Sequence, residues 1–376
     1  MVRLLHTADW QIGHRAPEVP DVAARVREAR LEAARAVVAL ANGHGADALV
    51  LAGDTFEDHF VEERLVTQVL EILDASTAPV FVLPGNHDAL TQGCLYRRAP
   101  WTRGPAKITL LQDLDPVPIP GTDAVLLAAP LKSKKGFTDP TRDLRRPSDG
   151  GADRIAIGVA HGGWNDGRLK SADSFPIAPD VCERAGLDYL ALGDIHKTQT
   201  LTPRAAYAGS HEVCRFGEES GNALLVTIDA PQATPRIESF RTGQLTWLDP
   251  AVDLTAGVEA ACDIAHRIVD GIPAEARPNT LLKLIATGQS GDGATAQLQA
   301  LEAELSGRLL YVRIERRDIP AALAQGRLKA AADSSPLVAG LLEELARQGQ
   351  VEDPAMLLAA RNARDLLATL VLETFR

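Results

Sequence analysis

Short apolar runs alternate with longer, helically spaced ones through the first half of the chain. Val2 to Thr7, Ala48 to Ala52, Val80 to Leu83, Ala124 to Ala128, Ile155 to Ala160 and Tyr189 to Leu192 are mostly apolar and four to six residues long. Such runs predict strands covered on both faces. Between them, Val22 to Leu40 places Val26, Ala33, Val37 and Leu40 near one face, and Val61 to Leu73 also has helical spacing. Both read as amphipathic helices. Strand–helix alternation predicts an α/β sheet with helices packed on its faces. Each strand then runs into a small polar cluster, and ligands of open α/β sheets bind beyond the carboxyl ends of the strands.

Residues 132–153 break this rhythm with a stretch rich in Gly, Pro and charge, which predicts an exposed loop. Residues 222–249 read as further strands (ALLVTI, RIESF, LTWL), and 255–318 as helix, strand, helix, strand, a small α+β unit. Ser335-Pro336 and Asp353-Pro354 each place a capping residue before a proline, the start signal of a helix. Leu337, Leu341 and Leu345 stripe the first of these helices, and Ala359, Ala363, Leu366 and Leu370 the second. The division this suggests is 1–250, 251–325 and 326–376.

Composition narrows the function classes. The 376 residues carry 39 basic and 50 acidic side chains, a formal charge of −11. That balance argues against a surface that attracts polyanions everywhere, though not against a local site where metal ions supply positive charge. Aromatic residues are only 4% of the chain, so broad base-stacking platforms are not expected. Cys94, Cys182, Cys214 and Cys262 are widely spaced and read as reduced thiols. The first residues lack the pattern of a signal peptide, and no apolar run reaches the ~18 residues of a membrane span. The expectation is a cytoplasmic protein without membrane contact.

Five strand-end clusters carry the chemistry: Asp9-Trp10-Gln11, Gly53-Asp54, Gly85-Asn86-His87-Asp88, His161-Gly162-Gly163 and Gly193-Asp194-Ile195-His196. Carboxylate, amide and imidazole donors on converging loops suit a pair of divalent ions such as manganese. Two ions roughly 3.5–4 Å apart can clamp the attacking and leaving oxygens of a displacement at phosphorus. Singly these motifs are weak, because a lone Gly-Asp is usually a turn. Gly-Asn-His-Asp after VFVLP is much more specific, and the ordered set of five is stronger still.

In that order, D-x-Q, GD, GNHD, HGG and GDxH resemble the calcineurin-like metallophosphoesterase superfamily. The strings LLHTADWQIG, LVLAGDTF, VLPGNHD, DYLALGDIHKTQ and AYAGSHEVCRFGE are similar to those of the SbcD-type DNA repair nucleases, bacterial relatives of the meiotic recombination nuclease. The resemblance covers the chain to about residue 220. It implies a four-layer α-β-β-α sandwich with a small α+β capping domain and C-terminal helices. It also implies one metal on Asp9, Gln11, Asp54 and His196, and a second on Asp54, Asn86, His161 and Asp194, with Asp54 as the bridge. His87 would be the general acid or stabilise charge on the phosphorane, and Asp88 would orient its imidazole through a hydrogen bond. Two residues depart from the usual pattern, which has His where Gln11 and Asp194 stand. Both swaps favour harder ions, manganese first and magnesium second, over zinc.

The implied partners are DNA, an SbcC-type coiled-coil ATPase gripped by the C-terminal helices, and a second copy of the chain in a homodimer. Backbone contacts to DNA are expected from Arg97, Arg98, Arg103 and Lys107, and from Lys132, Lys134, Lys135, Arg142, Arg145 and Arg146 in the exposed loop. A charge run can equally be a solvated face. Glu57 reads as an acid supporting the ligands, His211 as a substrate contact or a loop-structural residue, and Trp10 and Trp164 as cleft or core. His6 reads as packing, and His14, His44, His59 and His266 as surface or loop residues. Two rival readings are a phosphodiesterase or phosphatase of the same fold acting on small molecules, and a non-catalytic DNA-binding subunit of an ATPase.

Overall fold

Alternation within single strands decides how the layers stack. In β1 (Val2–Thr7), Leu5 packs with helix residues Val37, Val38 and Leu73, whereas Val2 and Leu4 pack with Leu126, Ala128 and Ile157 of a second sheet. Successive side chains of a strand point to opposite faces, so a strand buried on both sides must be apolar at nearly every position. That is why the short runs are continuous in the sequence.

The structure is a computed structural model that divides into two units, Met1–Thr246 and Trp247–Arg376. It describes residues 1–147, 153–167, 175–290, 294–320 and 329–348, together with Ala363 and Leu367. In the first unit the order is β1, α1 (Ala23–Gly43), β2 (Ala48–Ala52), α2 (Glu63–Asp74), β3 (Val80–Leu83), α3 (Ala99–Thr102), β4 (Ile108–Leu110), β5 (Val117–Pro118) and β6 (Ala124–Ala129). It continues with β7 (Ile155–His161), α4 (Val181–Ala185), β8 (Tyr189–Gly193), β9 (Gln199–Thr202), β10 (Ala205–Tyr207), β11 (Asn222–Ile228) and β12 (Arg236–Arg241).

Two six-stranded sheets result, in the orders β12-β11-β1-β2-β3-β4 and β5-β6-β7-β8-β10-β9. β1, β2 and β3 are parallel, as are β6, β7 and β8. The inner sheet faces pack on each other through Leu4, Val50, Leu83, Leu126, Ile157 and Ala191. The outer face of the first sheet is covered by α1 and α2, and that of the second by α4 through Val181, Cys182 and Ala185. The four layers are therefore α-β-β-α, as expected.

The stretch expected as an exposed loop is irregular over its described part, 132–147, but it is pinned to the fold. Leu144 and Thr141 are buried, and the Arg146 guanidinium pairs with the buried Asp188 carboxylate at 2.7 Å while donating to the Gly186 and Arg154 carbonyls. Arg146 serves the fold rather than offering a free charge, because with Arg204, 3.7 Å away, it compensates the buried Asp188 carboxylate.

In the second unit β13 (Thr246–Leu248), β14 (Ala251–Asp253), β15 (Thr280–Ser290) and β16 (Tyr311–Pro320) form a four-stranded sheet. α5 (Val258–Asp270) and α6 (Ala294–Ser306) pack on it, with Ala261, Ala265, Leu298 and Leu305 against Val252, Leu282 and Leu284. α7 (Pro336–Gln348) begins at the expected Ser-Pro signal and leaves Leu337 74% and Leu341 45% exposed. The second C-terminal helix expected from Asp353-Pro354 lies, apart from Ala363 and Leu367, outside the described residues. Among the described residues no helix is long and apolar enough to cross a membrane.

Candidate metal centre

Five parallel strands, β1, β2, β3, β7 and β8, release their chains at one edge of the first unit. Asp9, Asp54 and His161 are buried there, and one ligand atom of each lies within 4.8 Å of the others. The backbone knits the loops together: Asp9 donates its N–H to the Gly53 carbonyl at 3.1 Å, and Gln11 donates to the Asp54 carbonyl at 2.8 Å. Asp194 donates its N–H to Asp9 Oδ1 at 3.1 Å, and His87 donates its N–H to Asp54 Oδ1 at 2.8 Å. Asp9, Gln11, Asp54 and Asp194 all adopt positive φ (52°, 38°, 51° and 100°). Non-glycine residues in this region cost about 1–3 kcal/mol each and persist where the surroundings over-determine them.

Glycine makes the close approach possible. A Cβ on Gly53 would stand 2.0 Å from His161 Nδ1, and one on Gly85 would stand 2.1 Å from Asp54 Oδ1. Any side chain there would push the ligands apart.

The histidines show what the cluster is built to hold. His161 donates Nδ1–H to the Ala52 carbonyl at 2.9 Å. Its Nε2 then faces Asn86 Oδ1 at 2.8 Å, Asp54 Oδ2 at 3.4 Å and Asp194 Oδ1 at 3.8 Å. A neutral imidazole has one N–H, so a lone pair facing three oxygens needs either a proton or a cation between them. Burial works against a charged imidazole, yet Asp54, Asp9 and Asp194 outweigh it and hold His161 well above the usual histidine range. Burial pushes Asp9 up to about 6, with Asp54 and Asp194 adding to it against His161 and His196. This excess of buried acid facing imidazole lone pairs fits divalent cations.

His196 is fixed in a similar way. Its Nδ1–H donates to Glu218 Oε1 at 2.9 Å, which leaves the Nε2 lone pair available to a cation. Burial disfavours the charged ring, but this bond and Asp9 raise it overall. Glu218 in turn is held down to about 2: burial raises it, and the His196 bond, the Cys214 N–H and Arg215 more than reverse that. Glu218 is a partner of His196 that motif reading passes over. It sits in the quoted string AYAGSHEVCRFGE, but no spacing rule ties it to a histidine 22 positions earlier.

His87 sits at the rim with 28% of its side chain exposed. It donates Nδ1–H to the Glu57 carbonyl at 2.8 Å, and its Nε2 is 3.9 Å from Asp54 Oδ2. The orienting group is therefore the Glu57 main chain, and the expectation that Asp88 orients His87 is corrected. Asp88 points away into the core, where it accepts from Gly85 N–H at 2.8 Å, Phe56 N–H at 3.1 Å and Tyr96 O–H at 2.5 Å. Three donors converge on it, so its work is to fix the loop that carries Asn86 and His87.

The basic residues divide. Lys132 and Lys134 are exposed beside the His87 loop, because the Leu131 carbonyl accepts from Leu90 N–H and Leu131 N–H donates to Pro84. Lys135 belongs to the same exposed loop, and Arg97 and Arg103 are exposed around α3. Arg98 is engaged with the His59 carbonyl. Lys107 is a correction: it precedes β4, at the opposite end of the sheet from the centre, and pairs with Asp74 at 3.2 Å. Arg142 pairs with Asp143, and Arg145 donates to the Arg142 and Leu144 carbonyls. His211 and Trp10 are fully buried and stacked at 5.1 Å, so both are structural.

"Uncharacterized metallophosphoesterase YhaO" of Bacillus subtilis (strain 168) is 25% identical over 243 residues, which are 62% of this chain and 57% of that protein. The match thus spans little more than half the length of that curated relative. Among solved structures, TT1561 of Thermus thermophilus is similar at 16% identity with a TM-score of 0.40, over 64% of this chain and 99% of that one. Residues 2–198, more than half of the chain, match the calcineurin-like phosphoesterase family, and the chain belongs to that family.

Proposed function

We propose that this protein is a metal-dependent DNA nuclease of the SbcD type, cleaving phosphodiester bonds as exonuclease and endonuclease with two divalent ions, manganese in the first place. The observation that carries the reading is the convergence of buried Asp9, Asp54 and His161 on one point, with His87 at the open rim. Asp9, Gln11, Asp54 and His196 would hold one ion, and Asp54, Asn86, His161 and Asp194 the other. Bound there, the pair supplies the positive charge and Lewis acidity that in-line displacement at phosphorus requires. His87, held by the Nδ1–H bond to Glu57, would act as the imidazolium, delivering its Nε2 proton to the leaving 3′ oxygen and keeping the Nδ1 one.

Exposed Lys132 and Lys134 beside the His87 loop support a polyanionic substrate. Residues 251–325 would cap the DNA, and 326–376 would grip a coiled-coil ATPase, with exposed Leu337 and Leu341 as anchors. The cytoplasm and a homodimeric assembly complete the reading.

The structural engagement of Arg98, Lys107 and Arg146 favours a second reading, a phosphodiesterase for small molecules, since fewer cations remain for DNA. One comparison separates the two. Chelator-treated protein resupplied with manganese, magnesium or zinc is assayed on linear DNA and on cyclic and linear nucleotides, with and without the ATPase. Manganese-dependent DNA cleavage that His87→Ala loses upholds the nuclease. Turnover confined to nucleotides overturns it, and no turnover in any arm favours a non-catalytic subunit.

A further inference from the structure

We infer that Arg30 is a positioning residue of the metal centre, which from inside α1 fixes the conformation of the Asp9–Gln11 turn. The inference rests on the metal-centre reading above. Arg30 is 1% exposed, on the same helix as buried Ala29, Ala33 and Ala34, and makes no ion pair with a carboxylate among the described residues. A guanidinium taken out of water without a counter-ion is costly unless its donors are all used. Here four of the five N–H groups are engaged, three of them on the main chain of the turn. Nε donates to the Trp10 carbonyl at 3.0 Å, and Nη2 donates to that same carbonyl and to the Asp9 carbonyl at 3.3 Å. Nη1 reaches the Glu212 carbonyl at 3.4 Å.

The turn needs such a clamp. Asp9 and Gln11 are both left-handed within three positions. Their N–H groups are taken by the Gly53 and Asp54 carbonyls, and Arg30 takes the outward-facing carbonyls on the other side. His211 closes the ring: it donates Nε2–H to the Arg30 carbonyl at 2.8 Å and stacks on Trp10. If the turn as a whole relaxed from its left-handed conformation, the Asp9 carboxylate would lose its placement against Asp54, His161 and the Asp194 N–H that it accepts. A planar fork can hold two successive carbonyls at once, which a single ammonium holds less well.

The test measures Mn²⁺ binding by calorimetry on chelator-treated wild type, Arg30→Met and Arg30→Lys, beside thermal unfolding. Val69→Ala, a core truncation in α2, reports what destabilisation alone does to the metal. The expected result is Mn²⁺ affinity ten- to a hundredfold weaker in both Arg30 variants, the usual range for a lost supporting contact. Val69→Ala should lower Tm and keep wild-type affinity. Turnover of a chromogenic phosphodiester at saturating Mn²⁺ should fall in kcat with little change in KM. Wild-type affinity in the Arg30 variants overturns the inference, as does affinity in Val69→Ala that falls in step with Tm. If Arg30→Met does not fold, Arg30→Lys decides by the same criterion. A wild type that binds no Mn²⁺ overturns the metal-centre reading, and this inference with it, so the two failures read apart.

Discussion

Glu218 Oε1 accepts the Nδ1–H of His196 at 2.9 Å and thereby decides which ring nitrogen carries the hydrogen and which keeps its lone pair. Carboxylates behind metal-ligating histidines fix the tautomer and raise ligand basicity, and losing one costs about 10- to 100-fold in metal affinity. Glu218→Gln keeps the shape and removes the charge. It should weaken Mn²⁺ binding by about tenfold or more, read as a higher Mn²⁺ concentration for half-maximal hydrolysis. Unchanged Mn²⁺ dependence would show that His196 is not a ligand.

In the proposed reading, His87 lies beside the ligand set without belonging to it. Its ring is held by the Glu57 carbonyl, and its Nε2 stands 3.9 Å from Asp54. His87→Ala should therefore leave Mn²⁺ affinity within about twofold of wild type and lower kcat by roughly 10²- to 10⁴-fold, the range for a positioned acid–base group. Calorimetry and turnover on the same samples separate the two effects. Loss of Mn²⁺ binding in the variant would make His87 a ligand instead.

Asp88 has a structural task, and that too has measurable consequences. Burial, with Asp54 adding to it, raises its carboxyl to about 6, although Tyr96 O–H and the Gly85 and Phe56 N–H groups oppose the rise. Asp88→Ala leaves three donors without an acceptor, at about 1–3 kcal/mol each before water relieves them, so roughly 3 kcal/mol of stability should go. Tyr96→Phe removes a single bond and should cost about 1 kcal/mol. Denaturant unfolding gives both numbers. A stable Asp88→Ala with normal unfolding would rule out the anchoring role.

The strands were legible because burial on both faces leaves an apolar imprint. Val80 to Leu83 is the whole of β3, and Ala48 to Ala52 the whole of β2. β5, β9 and β10 were not, since they are two to four residues long, and β5 and β9 lie at sheet edges where Pro118, Gln199 and Thr200 are tolerated. The polar clusters were legible because strand ends and ligands coincide: His161 ends β7, and Asp194 directly follows β8. What could not be read is what lies behind them. Arg30 looks like any charge on an amphipathic helix until the fold buries it against Trp10. Asp88 looked like a partner for its neighbour, whereas its acceptors face Tyr96 and Phe56, which only the tertiary fold brings near.

His6 offers a pH test of the buried layer beneath the centre. It lies between the sheets, donating Nε2–H to the Leu192 carbonyl at 3.2 Å and accepting from Tyr189 O–H at Nδ1, 2.9 Å away. Burial lowers its pKa to about 3, against a small opposing pull from the Leu192 carbonyl. The folded state thus keeps His6 neutral where the unfolded chain, with an ordinary histidine near 6.5, takes up a proton. The stability tied to this difference is complete above about 6.5 and is lost progressively as the pH falls toward 3. Between pH 6.5 and 4 that amounts to roughly 3 kcal/mol, at about 1.4 kcal/mol per unit. His6→Gln can supply one donor and one acceptor without titrating. In chelator, wild type should lose roughly 3 kcal/mol more than this variant on acidification from pH 7 to 4. Parallel loss in the two proteins would mean that His6 is already protonated in the fold, and the Leu192 and Tyr189 contacts would then need a different hydrogen arrangement.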